Sequence, residues 1–284
     1  MSQLDAVEIS AAVVRASGLF GESAVLADPR TEVAVEDAVH HLLRSRQRYD
    51  LIVADGKQNP DFSNNWVLMS REFYTGALAR IEGNGLFVQW LPLSTLADDF
   101  ATALRTFSSV FPEVEIFLNA PHWVILVGSR APIAGRATAP IPAEIQAELR
   151  HFRIDGREAL LSYWVANRAA LVGELGAGPL STWNRSPLEF SAYKASAARR
   201  RAAPRENLAL LLRTNARAER AGGSPFLAPD SLFVRSTALL RSAHLHELEG
   251  DRTRAAQLAQ RASQINPADR VARYFRDQLR APAR

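Results

Sequence analysis

Residues 49–92, YDLIVADGKQNPDFSNNWVLMSREFYTGALARIEGNGLFVQWLP, decide the fold of this chain. Two apolar runs in this segment, residues 51–54 and 86–91, have the length and the β-branched or aromatic content of buried strands. The residues between them predict a helix. Asp55 follows the first strand directly, and the loop-forming residue Gly56 comes next. Ligands of open α/β sheets bind beyond the carboxyl ends of the strands, so Asp55 is a candidate site residue.

The residues before this segment alternate between strand and helix patterns. Residues 4–9 and 31–35 predict strands, and residues 11–16 and 38–46 predict helices. This alternation favours a parallel, doubly wound sheet with right-handed crossovers. Glu8 and Asp37 each follow a predicted strand, so we expect both at the same edge as Asp55. From position alone, a helix cap or turn acid explains Asp55 as well as a site role does, and a structural role is favoured for Glu8 and Asp37.

The residues after this segment predict one more helix, two strands and then a helical region. Residues 94–107 have helical spacing. Residues 114–118 and 123–127 predict a hairpin, and we interpret His122 in its connection as a loop residue rather than a catalytic base. Residues 131–142 are rich in Pro, Ala and Gly and predict a linker. The predicted domains are therefore residues 1–130, a partial Rossmann-like domain, and residues 143–284, a helical region. Within the latter, small residues at 231–280 fit one tetratricopeptide-like helix pair that docks on preceding helices or on a partner.

Composition narrows the class of protein. The 284 residues include 47% hydrophobic and 23% charged residues, which is ordinary for soluble globular proteins, and no apolar run approaches the roughly 20 residues that span a bilayer. No secretion signal is expected at residues 1–10, and the absence of cysteine excludes disulfides and thiolate sites, which fits a cytoplasmic protein. The net charge of +4 is concentrated at residues 185–220, which we interpret as a solvated helix face rather than a nucleic-acid patch. The six histidines lack companion ligands, so no metal site is predicted.

Three motifs within residues 49–92 resemble one enzyme family. They are the strand ending in Asp55, the helix motif Arg71-Glu72-Phe73-Tyr74, and the run from Gly83 to Gln89-Trp90. In this order and spacing they resemble the spermidine synthase (polyamine aminopropyltransferase) family, in particular its bacterial members fused to other segments. The resemblance covers about residues 4–130 and, less specifically, residues 184–190.

The resemblance implies roles for particular residues. Glu8 would hold the ribose and Asp37 the adenine of decarboxylated S-adenosylmethionine, a co-substrate rather than a resident cofactor. Asp55 would orient the amine nucleophile and accept its proton. The second aspartate and proline of the family's loop appear here as Asn59-Pro60, one residue further on, so Asp61 is a candidate substitute or a turn acid. Gln89 is a candidate substrate contact at the end of its strand, whereas Trp90 belongs to the core or touches substrate.

The sequence also departs from the family before Glu8. A family member has a β-hairpin domain and a glycine-rich first strand there, and three residues precede the first predicted strand here. We therefore expect an α/β, mostly parallel Rossmann-like (methyltransferase-type) sheet with an incomplete N-terminus, and a C-terminal helical region. The expected function is aminopropyl transfer to putrescine or a related amine, with possible homodimer or protein partners through the C-terminal helices, and no nucleic-acid or membrane partner. The alternatives are a non-catalytic binding or scaffold protein with a degenerate fold, or an S-adenosylmethionine-dependent methyltransferase.

Overall fold

The computed structural model describes residues 2–19, 23–55, 65–119 and 123–281, so the predicted residues Asp61 and His122 lie outside the described residues. The strands of the described part are β1 (Leu4–Val7), β2 (Thr31–Ala34), β3 (Tyr49–Ala54), β4 (Ile81–Pro92), β5 (Glu113–Asn119), β6 (Trp123–Ser129) and β7 (Trp164–Asn167). Its helices are α1 (Ala11–Ala16), α2 (Ser23–Leu26), α3 (Ala38–Arg44), α4 (Arg71–Arg80), α5 (Ala97–Val110), α6 (Ala143–His151), α7 (Gly156–Leu161), α8 (Arg168–Leu175), α9 (Ser191–Lys194), α10 (Ala197–Arg220), α11 (Leu232–Leu248), α12 (Arg252–Ile265) and α13 (Arg270–Arg280).

The strands form two sheets. One contains β1 and β2 in parallel, and the other has the order β3-β4-β6-β5-β7. In the second sheet β3 and β4 are parallel, whereas β6, β5 and β7 add antiparallel pairs. The predicted α/β class is confirmed, and the strand-helix alternation up to β4 is as expected. The structure differs from the predicted single sheet because β1 and β3 belong to different sheets.

The two sheets are joined at the starts of their strands by a side-chain hydrogen bond. Tyr49 Oη, at the start of β3, donates to Asp5 Oδ2 in β1 at 2.9 Å. The same end of β3 contains an irregularity, since Tyr49 is opposite Ile81 but Leu51 is opposite Leu86. Gly85 permits this register shift: a Cβ there would lie 2.8 Å from the backbone oxygen of Tyr49.

The large sheet is packed around a cluster of aromatic side chains. Tyr74 from α4, Phe87 from β4, and Phe107 and Phe111 from α5 and its C-cap have no exposed surface. Their ring centroids are 4.6–6.0 Å apart, mostly in tilted or edge-on arrangements that aromatic pairs favour. The predicted apolar face of residues 94–107 is confirmed, because Phe100, Leu104 and Phe107 are all buried.

The main core extends beyond the predicted linker. Residues 143–284 were expected to be helical, but Trp164–Asn167 forms β7 and pairs with β5. The same core continues through α8 and α10 as far as Ala218. The division at residues 131–142 stays a prediction about domains, but it does not separate two hydrophobic cores. The physical reason is that the chain returns after the linker to complete the sheet.

A second, smaller core holds the last three helices together. Its buried residues are five alanines, which let α11, α12 and α13 pack closely, and three larger side chains, Leu240, Phe275 and Leu279. Ala243, Ala255 and Ala262 are all fully buried there. None of the described helices has the length and apolar character needed to cross a membrane.

Candidate functional site

Glu8 and Asp37 lie at the carboxyl ends of two neighbouring parallel strands. Val7 and Ala34 form the last pair of the β1–β2 ladder, and Glu8 N donates to Ala34 O at 3.1 Å. The Glu8 side chain is half-buried, and its Oε1 accepts a hydrogen bond from Ser10 N at 2.8 Å. Glu8 therefore lies after its strand as predicted, with one carboxylate oxygen engaged in the turn before α1. The expected common edge with Asp55 is not observed, because β1 and β2 form a separate sheet from β3.

Asp37 is the N-cap of α3. Its Oδ1 accepts from Val39 N at 2.8 Å and from His40 N at 3.0 Å, which satisfies two backbone donors that the helix leaves unpaired. Within the described residues, Oδ2 has no hydrogen-bond partner. The capping role that the sequence left open is thus present, and it uses one oxygen of the carboxylate. The other oxygen remains available to a ligand.

The neighbouring acid, Glu36, is turned toward the C-terminal part of α3 instead. His41 Nδ1 lies 2.8 Å from Glu36 Oε1, and Arg44 Nη1 lies 3.4 Å from Oε2. The hydrogen bond with His41 lowers the pKa of Glu36. Asp37 rather than Glu36 therefore offers the free acceptor after β2.

Asp55 follows β3 and is held by a tryptophan of the next strand. Trp90 Nε1 donates to Asp55 Oδ1 at 2.8 Å, and the Trp90 ring packs edge-on against Trp123 at 4.8 Å between centroids. Asp55 itself is exposed, and its Oδ2 has no hydrogen-bond partner among the described residues. The sequence indicated Asp55, but it gave Trp90 no role in orienting this carboxylate. This contact follows from the register of β3 and β4 in the structure, which pairs Ala54 with Gln89 and so places Trp90 one residue further on.

Gln89 is buried, with 2% of its surface exposed, and its amide is engaged within the protein. Tyr74 Oη donates to Gln89 Oε1 at 2.6 Å, and Gln89 Nε2 donates to Leu68 O at 3.1 Å. Burial raises the pKa of Tyr74, so its hydroxyl stays a donor. These bonds attach β4 to the 3₁₀ segment Asn65–Met69 that leads into α4. Gln89 thus supports the backbone beside the site, and direct contact with substrate stays a prediction.

The structure brings the predicted residues together in two groups. Glu8 and Asp37 share the edge of the small sheet, and Asp55, Gln89 and Trp90 share the edge of the large sheet. Two cavities in the described part of the chain, of about 590 and 240 Å3, are lined by other residues. Within the described ranges, no three His, Asp or Glu side chains are grouped as a metal ion would require.

Part of this chain is similar to one family of known proteins. Residues 1–121 match the model of the spermine/spermidine synthase domain. The polyamine aminopropyltransferase of Thermococcus onnurineus (strain NA1) is 28% identical over 135 residues, which are 45% of this chain and 47% of that protein. The polyamine aminopropyltransferase of Bacillus subtilis (strain 168) is 27% identical over 133 residues, or 44% and 48% of the two chains. The chain therefore spans about half the length of the curated relatives it matches.

Solved structures with some likeness carry related names. The spermidine synthase from Thermotoga maritima has 18% identity and a TM-score of 0.39, over 52% of this chain and 60% of that chain. A probable spermidine synthase from Corynebacterium glutamicum has 17% identity and a TM-score of 0.45, over 64% of each chain.

Proposed function

We propose that this chain acts as an aminopropyltransferase, because residues 1–121 match the model of the spermine/spermidine synthase domain. The reaction would transfer the aminopropyl group of decarboxylated S-adenosylmethionine to putrescine or a related amine and release methylthioadenosine. The observation that supports this best is the pair of carboxylates Asp37 and Asp55. Each follows a strand and has one oxygen fixed by the protein, and the second oxygen has no partner among the described residues.

Asp55 is the proposed catalytic residue. The attacking amine must be unprotonated, and a carboxylate beside it can orient the nitrogen and accept its proton. The nitrogen then forms a bond to the aminopropyl carbon while the carbon–sulfur bond breaks. The sulfur keeps the electron pair of that bond and becomes a neutral thioether. Trp90 contributes by holding Asp55 Oδ1, so that Oδ2 points in a defined direction.

Glu8 and Asp37 are the proposed nucleoside-binding residues. A carboxylate at the end of a strand can accept hydrogen bonds from both ribose hydroxyls, which is the role proposed for Glu8. The free Oδ2 of Asp37 would accept from the exocyclic amine of adenine, while Oδ1 continues to cap α3. Asp61 and Gln89 remain proposed contacts to the amine substrate.

A non-catalytic binding role is the second candidate, favoured by the edge of β3. Among the described strands, β3 forms backbone ladder hydrogen bonds with β4 alone, and Leu51 and Val53 on it are 53% and 56% exposed. Exposed apolar strands at a sheet edge are sites where another strand can add.

The proposal also includes a cytoplasmic location and a tetratricopeptide-like α11–α12 pair, whose buried alanines support packing within the chain.

The test separates nucleoside binding from helix capping. In Asp37→Asn, the one amide oxygen can still cap α3, whereas the second acceptor becomes an amide nitrogen that cannot receive the adenine hydrogen bond. We expect calorimetric titration with methylthioadenosine to show at least about tenfold weaker binding by Asp37→Asn, with stability within about 0.5 kcal/mol of the parent. Glu32→Gln removes an exposed acid from β2, the strand that precedes Asp37, and serves as the charge control.

The proposed catalytic role of Asp55 is tested by measuring turnover. Asp55→Asn keeps the acceptor for Trp90 but removes the base, so we expect turnover to fall about 10²- to 10⁴-fold while methylthioadenosine still binds. Asp50→Asn, an exposed acid of the same strand, is the matched control. A folded chain that neither binds methylthioadenosine nor forms a polyamine product would contradict the enzyme proposal and favour the binding role.

A further inference from the structure

A cavity of about 240 Å3 lies away from the proposed active site, in the C-terminal half of the chain. It lies between α10, α11 and the residues around β7 and is partly open to solvent, and its lining includes Arg241, Arg235, Asn215, Ser224, Glu219 and Ala238. Its volume is below the range of pockets that hold drug-sized molecules, roughly 300 Å3 and more, so it is matched to a small group.

Arg241 is the unusual member of this cavity. The side chain is only 7% exposed, and its Nη2 donates to Ser162 O at 3.0 Å and to Trp164 O at 2.7 Å. Its Nε is buried without an acceptor among the described residues. Two carbonyls therefore hold the Arg241 guanidinium in place at the cavity wall, while its buried Nε is left without an acceptor. A buried cation that keeps an unsatisfied donor is costly, which makes an anion on the cavity side of the guanidinium energetically favourable.

The positive charge of Arg241 also lacks an ion pair within the part of the chain that the structure describes. Glu219 is the acid of the cavity wall. Its carboxylate lies close to Gly223 in the turn after α10, because a Cβ added to Gly223 would be 3.1 Å from Glu219 Oε2. Burial lowers the pKa of Arg241 to about 10, so the side chain is still cationic at neutral pH. The charge of Glu219 opposes this shift only in part, and a buried cation is stabilised further by an anion that can also accept its hydrogen bonds.

The other polar groups of the cavity wall are suited to the same kind of ligand. Asn215 Nδ2 uses one hydrogen on Val165 O at 2.8 Å and retains another. Ser224 Oγ accepts from Phe226 N at 3.2 Å, which leaves its hydroxyl hydrogen free to donate. Arg235 adds a second, exposed cation at the wall. The cavity wall thus combines two cations and two further donors with one acid, Glu219.

We propose that this cavity is a binding site for a small oxyanion, a carboxylate or phosphate group, with Arg241 as its principal ligand. Guanidinium groups recognise such oxygens by directional, charge-assisted hydrogen bonds. The proposal is independent of the aminopropyl transfer, because none of its residues belongs to the active site described above. Occupancy would fasten α11 to α10 and β7, which are the elements that join the helical core to the sheet.

The experiment titrates the full chain with sodium phosphate and with sodium acetate, using sodium chloride at matched ionic strength as the reference. Calorimetry and the thermal unfolding midpoint are both recorded. We expect saturable one-to-one binding of at least one oxyanion with a rise in the midpoint, and at least about tenfold weaker binding by Arg241→Met. Phosphate binding without acetate binding would identify a phosphate-bearing ligand, and the reverse would identify a carboxylate.

Two further variants keep the test decisive where Arg241→Met does not fold. Ala238→Phe fills the cavity from an exposed position and leaves Arg241 intact, so it should also abolish binding, whereas Ser242→Ala on the same helix should not. Glu219→Gln should tighten binding, because it removes the competing negative charge. A folded parent chain with no saturable oxyanion binding would overturn the proposal. So would binding that persists in Ala238→Phe, or a Glu219→Gln variant that lowers the midpoint because Glu219 is itself the partner of Arg241.

Discussion

Glu115 makes the stability of this fold depend on pH near neutrality. Glu115 lies on β5 with 7% of its surface exposed, and its Oε2 accepts a hydrogen bond from Trp164 Nε1 at 2.5 Å. Burial raises the pKa of the carboxyl from its ordinary value of 4.5 to about 7, with a smaller contribution from Glu113, while the Trp164 hydrogen bond opposes the rise. The folded state therefore binds this proton more tightly than the unfolded state.

The sign and the size of the effect follow from that pKa shift. Because the folded pKa is raised, the contribution is fully present below the unfolded value and is lost as the pH rises through about 7. One pKa unit corresponds to about 1.4 kcal/mol, so the loss between about pH 5 and about pH 8 is on the order of 3 kcal/mol. Glu115→Gln should remove this dependence while keeping an oxygen acceptor for Trp164 Nε1.

The assay is denaturant unfolding of both chains across this pH range. We expect the free energy of unfolding of the parent to fall toward pH 8 relative to that of Glu115→Gln, and the two to converge near pH 5. Glu82→Gln, an exposed acid of β4, should keep the parent's pH dependence. Parallel curves for the parent and Glu115→Gln would refute the reasoning, since Glu115 would then titrate alike in the folded and unfolded states.

Two other predictions concern the positioning of Asp55 and the strand pair beside it. Trp90→Phe keeps an aromatic ring but removes the donor to Asp55, so turnover should fall about ten- to a hundredfold with unchanged affinity for methylthioadenosine; equal losses in both would show a structural role instead. Gly85→Ala should lower the free energy of unfolding by about 1–3 kcal/mol, because its Cβ would meet the backbone oxygen of Tyr49 at 2.8 Å. Gly83→Ala, with nothing within 4 Å of its Cβ, should be close to neutral in the same denaturant titration.

Local patterns predicted most elements of the first 130 residues. The apolar run at residues 51–54 lies within β3, and the helix expected over 38–46 is α3, which begins after its cap Asp37. Both signals are local, because strand residues alternate and a helix start needs a side chain that accepts from its first amides. Asp55 could be chosen as a candidate for the same reason, since it directly follows a strand.

Contacts between distant segments could not be read from such patterns. The four residues Trp164–Asn167 are flanked by helical sequence, and they are a strand because β5 supplies partners. Glu113 and Glu115 alternate with apolar residues as a solvated face would, but Trp164 covers Glu115. Arg241 is buried for a similar reason: its partners are carbonyls about 80 residues earlier in the chain.

The separation of the two sheets links the fold to the proposed chemistry. Glu8 and Asp37 follow strands of the small sheet, and Asp55 follows a strand of the large one. The hydrogen bond from Tyr49 Oη to Asp5 Oδ2 joins β3 to β1. A co-substrate that is held by Glu8 and Asp37 and attacked by the amine beside Asp55 would contact both sheets at once. Its binding energy would therefore also favour the alignment of the sheets, since a ligand stabilises the arrangement that it binds. On this argument the gap between β1 and β3 distinguishes the two proposed functions, because aminopropyl transfer would require that alignment and a binding role would not.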